Sequence, residues 1–454
     1  MRHVVYNIDD ETLSRVYGGQ NIKSAKTLQM SFAYLTDANV ALLKQHGYAI
    51  KEVKKVAVHP VRVKADVGPI IPIPGINIYT PTQLFNLVGV ASLLNLTNPP
   101  LYGKNMTIAL IDTGVRETHV KVAGHIALSM NFTSDTMEDG YDHGTGTASI
   151  IAELAPQANI LNFKVLDNTG SGSEEEVALG IDQCIDMVNN NHELAPSVIN
   201  ISLGTEDEGA TNPPSALRVA CQHAVETGIL VIAAAGNGGP NAETIMNPAC
   251  DPLVIAVGSC DTTDHLVSTF SARGPTVEGL IKPDMVLFGE NIVVASSQSD
   301  TAMAAKSGTS FSAPMASALA LLTQEGIVRK VGYTGGVPLG LQAQSVEQTL
   351  TNSKLLGTYI PQVSVKPTGI QADKDNDYGY GLPAAALIND AVSDALASQS
   401  QGGLNIDFGS MLELMLVMMI MKMMMGSMSG MGGNNTRVAQ QPRMAPQNTK
   451  NLVA

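Results

Sequence analysis

Between about Met106 and Ser297 the chain alternates short, nearly continuous apolar runs with amphipathic stretches. The runs are Met106–Ile111, Ile160–Leu166, Val198–Leu203, Ile229–Ala235, Leu253–Val257 and Ile292–Ala295, apolar at nearly all of their consecutive positions. Each therefore predicts a strand buried on both faces. Gly144–Leu154, Glu174–Val188 with Ser173 as its cap, Ser215–Glu226 and Ser310–Gln324 carry the helical period instead. Buried strands separated by helices predict an α/β fold built on a doubly wound, mainly parallel sheet. Chemistry in such sheets gathers beyond the carboxyl ends of the strands. Here those ends read Asp112-Thr113-Gly114, Ser202-Leu203-Gly204 and Ala235-Gly236-Asn237.

The pattern changes on either side. Residues 1–66 predict a small α+β unit, with a strand at His3–Asn7, a turn at Gly18-Gly19 and a β-like run over Thr27–Tyr34. A helix over Asp37–His46 and a strand near Val53–His59 complete it. Residues 67–90, with Pro69, Pro72, Pro74 and Pro81, predict an extended linker. A larger unit runs over 91–396, and 397–454 reads as a low-complexity, disordered tail. Ten of the 21 Met lie between Met411 and Met431, so the methionine excess belongs to that tail and not to the core. Met411–Met425 carries Glu413 and Lys422 and falls short of the ~20 apolar residues a membrane-spanning helix needs, so no transmembrane span is expected.

Charge sharpens this division. The net charge of −14 hides a basic segment, residues 1–66 at +4, joined to an acidic remainder at −18. Without a basic excess the chain is not expected to bind nucleic acid. Met1-Arg2-His3 runs into Asp9-Asp10-Glu11 with no apolar stretch, so no secretory signal peptide is visible and synthesis in the cytoplasm is expected. Cys184, Cys221, Cys250 and Cys260 lack CxxC spacing and read as buried thiols. Spacing alone leaves a Cys250–Cys260 pair open.

Four short motifs follow in order: Ile111-Asp112-Thr113-Gly114, His143-Gly144-Thr145-Gly146-Thr147, Ala235-Gly236-Asn237 and Gly308-Thr309-Ser310-Phe311-Ser312-Ala313-Pro314. Singly they are weak. Asp-Thr-Gly also marks aspartic proteases, but no second copy occurs, and the glycines after His143 follow a polar stretch and not a strand, which disfavours a dinucleotide loop. In this order, at strand ends and helix starts, the four resemble the subtilisin-like serine proteases, from about Thr80 to Leu396. The resemblance implies Ser310 as nucleophile, His143 as the base that takes its proton, and Asp112 as the group that fixes the imidazole. It implies an oxyanion hole made by the Asn237 amide and the Ser310 N–H.

The resemblance further implies two backbone edges, Gly170-Ser171-Gly172 and Ser202-Leu203-Gly204, between which a peptide or protein substrate lies as an added strand. Ala234, Ala235 and Gly236 would line the primary pocket, with Met246 making it shallow. Residues 1–66 resemble the family's propeptide, an intramolecular inhibitor and folding aid removed by processing within residues 65–82. No cofactor or catalytic metal is implied; structural calcium occurs in the family at sites that leave no short motif. The pattern departs from the family at Gly146, where a second His is usual, at Phe311 in place of Met, and at Leu287-Phe288 in place of Ala-Pro. A catalytically silent fold that only binds peptides is the alternative. Acidic clusters stand beside both edges, Glu174-Glu175-Glu176 and Glu206-Asp207-Glu208. They either complement a helix dipole or favour cationic peptides and the basic N-terminal unit.

Overall fold

The computed structural model describes residues 1–59, 78–88, 94, 99–331 and 374–383. The expected tail over 397–454 and most of the expected linker lie outside the described residues.

The N-terminal unit contains β1 (Arg2–Tyr6), α1 (Asp10–Arg15), β2 (Gln20–Ala25), β3 (Met30–Tyr34), α2 (Asp37–Gln45) and β4 (Ile50–Glu52). Its antiparallel sheet has the order β2-β3-β1-β4. Asp9 and Thr36 begin the two helices by accepting from the backbone N–H of Thr12 and Asn39. β2 is polar in sequence and absent from the expected elements; it forms because β3 supplies a backbone partner. The alternation along β1 explains how the sheet is used. Val5 packs with Leu13, Ala33 and Leu43 beneath the unit's own helices. Val4, Tyr6, Met30 and Phe32 point the other way, into a core shared with the large domain.

After β5 (Lys55–Ala57) the chain continues through α3 (Pro81–Leu87), β6 (Thr107–Asp112), β7 (Ile126–Asn131), α4 (Gly144–Leu154), β8 (Asn159–Lys164), β9 (Ser171–Ser173) and α5 (Glu174–Asn189). It then forms β10 (Val198–Ile201), α6 (Ala216–Glu226), β11 (Leu230–Ala234), β12 (Ile255–Cys260), β13 (Met285–Phe288), β14 (Ile292–Ala295), β15 (Met303–Lys306) and α7 (Thr309–Val331). Seven strands make one sheet in the order β13-β12-β11-β10-β6-β8-β7, and every neighbouring pair is parallel. One face packs on α4 and α7 and the other on α5 and α6, giving the expected α/β doubly wound architecture.

Three expectations need correction. Ile292–Ala295 is a strand, but it pairs antiparallel with Met303–Lys306 outside the parallel sheet. The sheet instead ends on β13 and begins on β7, whose half-exposed pattern hides it from a search for continuous apolar runs. The linker expected over 67–90 closes in helix α3, held by a Thr80–Gln83 capping box and by Leu84 and Phe85 buried in the large core. The strand expected near Val53–His59 is the short β5, which pairs with β9 of the large domain, whereas β4 just before it joins the N-terminal sheet.

Candidate active site

Asp112 is the last residue of the central strand β6, and His143 immediately precedes α4. His143 Nδ1 lies 2.7 Å from Asp112 Oδ1. A carboxylate can only accept, so Nδ1 carries the proton and Nε2 is left with its lone pair. Thr113 N and Thr147 Oγ1 donate to the same carboxyl at 2.7 and 3.1 Å. Nε2 is buried without a hydrogen-bond partner. The two loops touch too closely for any side chain at Gly144, where a Cβ would stand 2.1 Å from the Gly114 carbonyl.

Ser310 opens the long helix α7, and Phe311 beside it lies against the His143 ring at 5.6 Å between centroids. Pro314 inside the helix cannot supply the N–H that would bond the Ser310 carbonyl. Ser202 Oγ donates to that carbonyl instead, at 3.1 Å, so the edge residue Ser202 repairs the helix at Ser310. Ser310 Oγ in turn donates to the Ser202 carbonyl at 3.3 Å.

Asn237 has its amide fixed by Thr309, whose N and Oγ1 both donate to Oδ1 at 3.0 Å. Nδ2 is thereby turned outward and donates to the carbonyl of His59 at 2.7 Å. His59 belongs to the chain's own N-terminal segment, which fills the cleft. β5 runs antiparallel to β9, pairing Lys55 with Ser173, Val56 with Gly172 and Ala57 with Ser171. On its other side Ala57 exchanges both backbone bonds with Gly204, at 3.1 and 3.2 Å, and Val58 N donates to the Gly170 carbonyl at 3.0 Å. The edges expected at Gly170-Ser171-Gly172 and Ser202-Leu203-Gly204 thus hold a strand between them.

The buried Ala234 ends β11 and the buried Ala235 leads into Gly236, whose φ of 113° leaves a Cβ only 2.6 Å from Met246 Cγ. Met246 also reaches toward Gly204, so it forms a wall between the two glycines. The expected pocket residues therefore do come together.

Sequence reasoning missed the groups that hold the loops. Buried Asp139 accepts from Thr113 Oγ1, from the backbone N–H of Asp142, His143 and Thr145, and from Thr145 Oγ1. It ties the Asp112 loop to the His143 loop. Lys164, fully buried at the end of β8, donates to the Thr113 and Glu138 carbonyls. Burial pushes its pKa down while the surrounding aspartates oppose that shift. A lysine inside the mainly apolar run Ile160–Leu166 was the available signal. The four cysteines are free and buried. Among the described residues no group of three His, Cys, Asp or Glu could hold a metal ion, and no helix is long and apolar enough to cross a membrane.

Comparison with known proteins follows this geometry. A model described as the subtilase family matches residues 103–381, more than half of the chain. The chain is similar to the serine protease AprX of Bacillus subtilis (strain 168), 34% identical over 216 residues that cover 42% of this chain and 48% of that protein. It is also similar to subtilisin-like protease 3 of Arthroderma benhamiae, 35% identical over 216 residues, covering 47% and 50%. Subtilisin-like protease 1 of Trichophyton tonsurans is 34% identical over 232 residues, covering 50% and 43%. The chain spans about half the length of the curated relatives it matches.

Proposed function

The chain belongs to the subtilase family, and from that premise we propose that it is a serine endopeptidase made as a zymogen, with Asp112, His143 and Ser310 as its triad. The observation that carries the reading is the pairing of His143 Nδ1 with Asp112, which leaves Nε2 basic, next to an Asn237 amide already bonded to a peptide carbonyl. In the reaction Ser310 Oγ attacks the carbonyl carbon while His143 Nε2 takes the hydroxyl proton. The oxyanion is met by Asn237 Nδ2 and the Ser310 N–H. Collapse breaks the C–N bond, and His143 returns the proton to the leaving amine. Water then repeats the sequence on the acyl-enzyme. No cofactor takes part.

The N-terminal unit is the intramolecular inhibitor in this reading. Its segment occupies the cleft in the manner of a substrate, with the His59 carbonyl at the oxyanion donor. Pro60 follows, so the bond at that position is a tertiary amide whose nitrogen bears a ring carbon where other residues bear hydrogen. That favours retention of the plug and processing farther along, within residues 65–82. Labelling of the protein by a fluorophosphonate probe, lost in Ser310→Ala, tests the nucleophile; absence of label in active-site-competent protein would leave the silent peptide-binding reading. N-terminal sequencing of active protein tests maturation, and an intact Met1 rules it out.

A further inference from the structure

We propose that Glu174 and Glu208 form a binding site for a basic side chain carried six residues before the bond to be cut, so that the enzyme takes extended cationic segments of protein. This rests on the peptidase reading above. With the His59 carbonyl at Asn237, His59 is the first residue before the reacting bond, Lys54 the sixth and Lys51 the ninth. The main chain is still gripped at the sixth position, where Glu174 N donates to the Lys54 carbonyl at 3.0 Å. The Lys54 ammonium contacts Glu208, and Lys51 Nζ lies 3.1 Å from Glu208 Oε2.

The recess behind these lysines points to a cation independently of the acidic cluster. Glu174 is 1% exposed, and neither of its carboxylate oxygens has a hydrogen-bond partner. Asn247 Oδ1, which lines the same recess together with Thr205 and Ser215, is also buried without a donor. The competing view is that Glu174 only completes the first turn of α5. Glu176 already fills that role, closing the capping box onto Ser173, and Glu175 is taken by Arg2. Glu174 is left facing the recess. The two lysines hold the Glu208 carboxyl below its ordinary range. When the N-terminal unit leaves, both acids become available to a lysine or arginine at the same register.

The test uses the full-length chain, assayed once its activity is constant, with two fluorogenic peptides. Both carry Val-Ala-Val-His before the scissile bond; one has Lys and the other Glu at the sixth position. The Lys peptide should show kcat/KM about tenfold higher, carried by KM, and Glu208→Lys should abolish the preference. Equal values in the wild type overturn the proposal. If neither peptide is cut, the peptidase reading fails, and the site is judged separately in the Ser310→Ala chain by hydrogen exchange at the Ala57 and Val58 amides. There Glu208→Lys should speed exchange about tenfold, with restoration when it is combined with Lys51→Glu and Lys54→Glu. Exchange unchanged by the charge reversal overturns the proposal.

Discussion

The seven-stranded sheet covers both of its faces with helices of its own, whereas the four-stranded N-terminal sheet covers one face and lends the other to its neighbour. The difference follows from size. A unit of about 60 residues with two short helices cannot bury two apolar sheet faces by itself. Val4, Met30 and Phe32 each gain roughly 1.5–3 kcal/mol from burial, and the docked state supplies that burial through α5 and α6. Polar contacts then fix the orientation: Arg2 forks onto Glu175, Tyr6 donates to the Pro214 carbonyl, and Leu28 N donates to Asp182. The large sheet is thus complete within its own domain, whereas the small one buries its second face only against the large domain.

The largest expected effect separates chemistry from docking. Ser310→Ala should lower peptide hydrolysis by about a million-fold while β1 and β3, in the unprocessed chain, stay protected from hydrogen exchange. Retained hydrolysis would show that the carboxyl edge of the large sheet is not where the reaction occurs. Phe32→Ala should remove about 3–5 kcal/mol from the docked small sheet and leave β10 and β11 protected. If exchange in the two sheets instead rose together, the small sheet would not be the conditional partner. Asn237→Ala should cost about 100- to 1000-fold in kcat with little change in KM, since the amide acts on developing charge. A purely structural role for Asn237 would instead lower thermal stability in step with kcat.

The smallest effect is a pH dependence of docking. Burial pushes the carboxyls of Glu174 and Asp182, both covered by the N-terminal unit, up to about 6 from ordinary values of 4.5 and 3.8. A raised carboxyl pKa means that the docked state binds the proton more tightly. Docking is therefore strongest below the ordinary values and weakens as pH rises through about 6. Glu208 works in the opposite direction, because its pair with the lysines is lost as pH falls through its depressed pKa. The net result should be tightest docking near pH 4.5–5 and about 1–2 kcal/mol less at pH 7, after allowance for solvent screening. Exchange rates at Ala57 across this range read it directly, and a flat profile would remove these acids from the docking balance.

Much of this molecule is written in local pattern. The parallel strands at Thr107–Asp112, Asn159–Lys164, Val198–Ile201, Leu230–Ala234 and Ile255–Cys260 are mainly apolar at successive positions because both faces are buried. The four motifs at strand ends and helix starts are legible because loops of this kind demand glycines and particular functional groups at short spacing. β7 and β13 were not legible. An edge strand such as β7 is half exposed, and the short β13 follows directly on Lys282-Pro283-Asp284. Nothing local distinguishes Ile292–Ala295, a hairpin strand, from a member of the main sheet, since partner choice depends on what else is nearby.

The sequence by itself determined the α/β architecture and the opposite charges of the two units, and it marked Asp112, His143, Asn237 and Ser310 as the candidate site, because each depends on residue type and near-neighbour spacing. Only the tertiary structure decided that Ser202 completes the helix that carries Ser310, that Asp139 and Lys164 lash the Asp112 and His143 loops together, and that Val56-Ala57-Val58-His59 fills the cleft. Those facts rest on contacts between segments dozens to more than a hundred residues apart. Such pairings cost chain entropy that only the assembled core can offset, so no short stretch of sequence carries their signature.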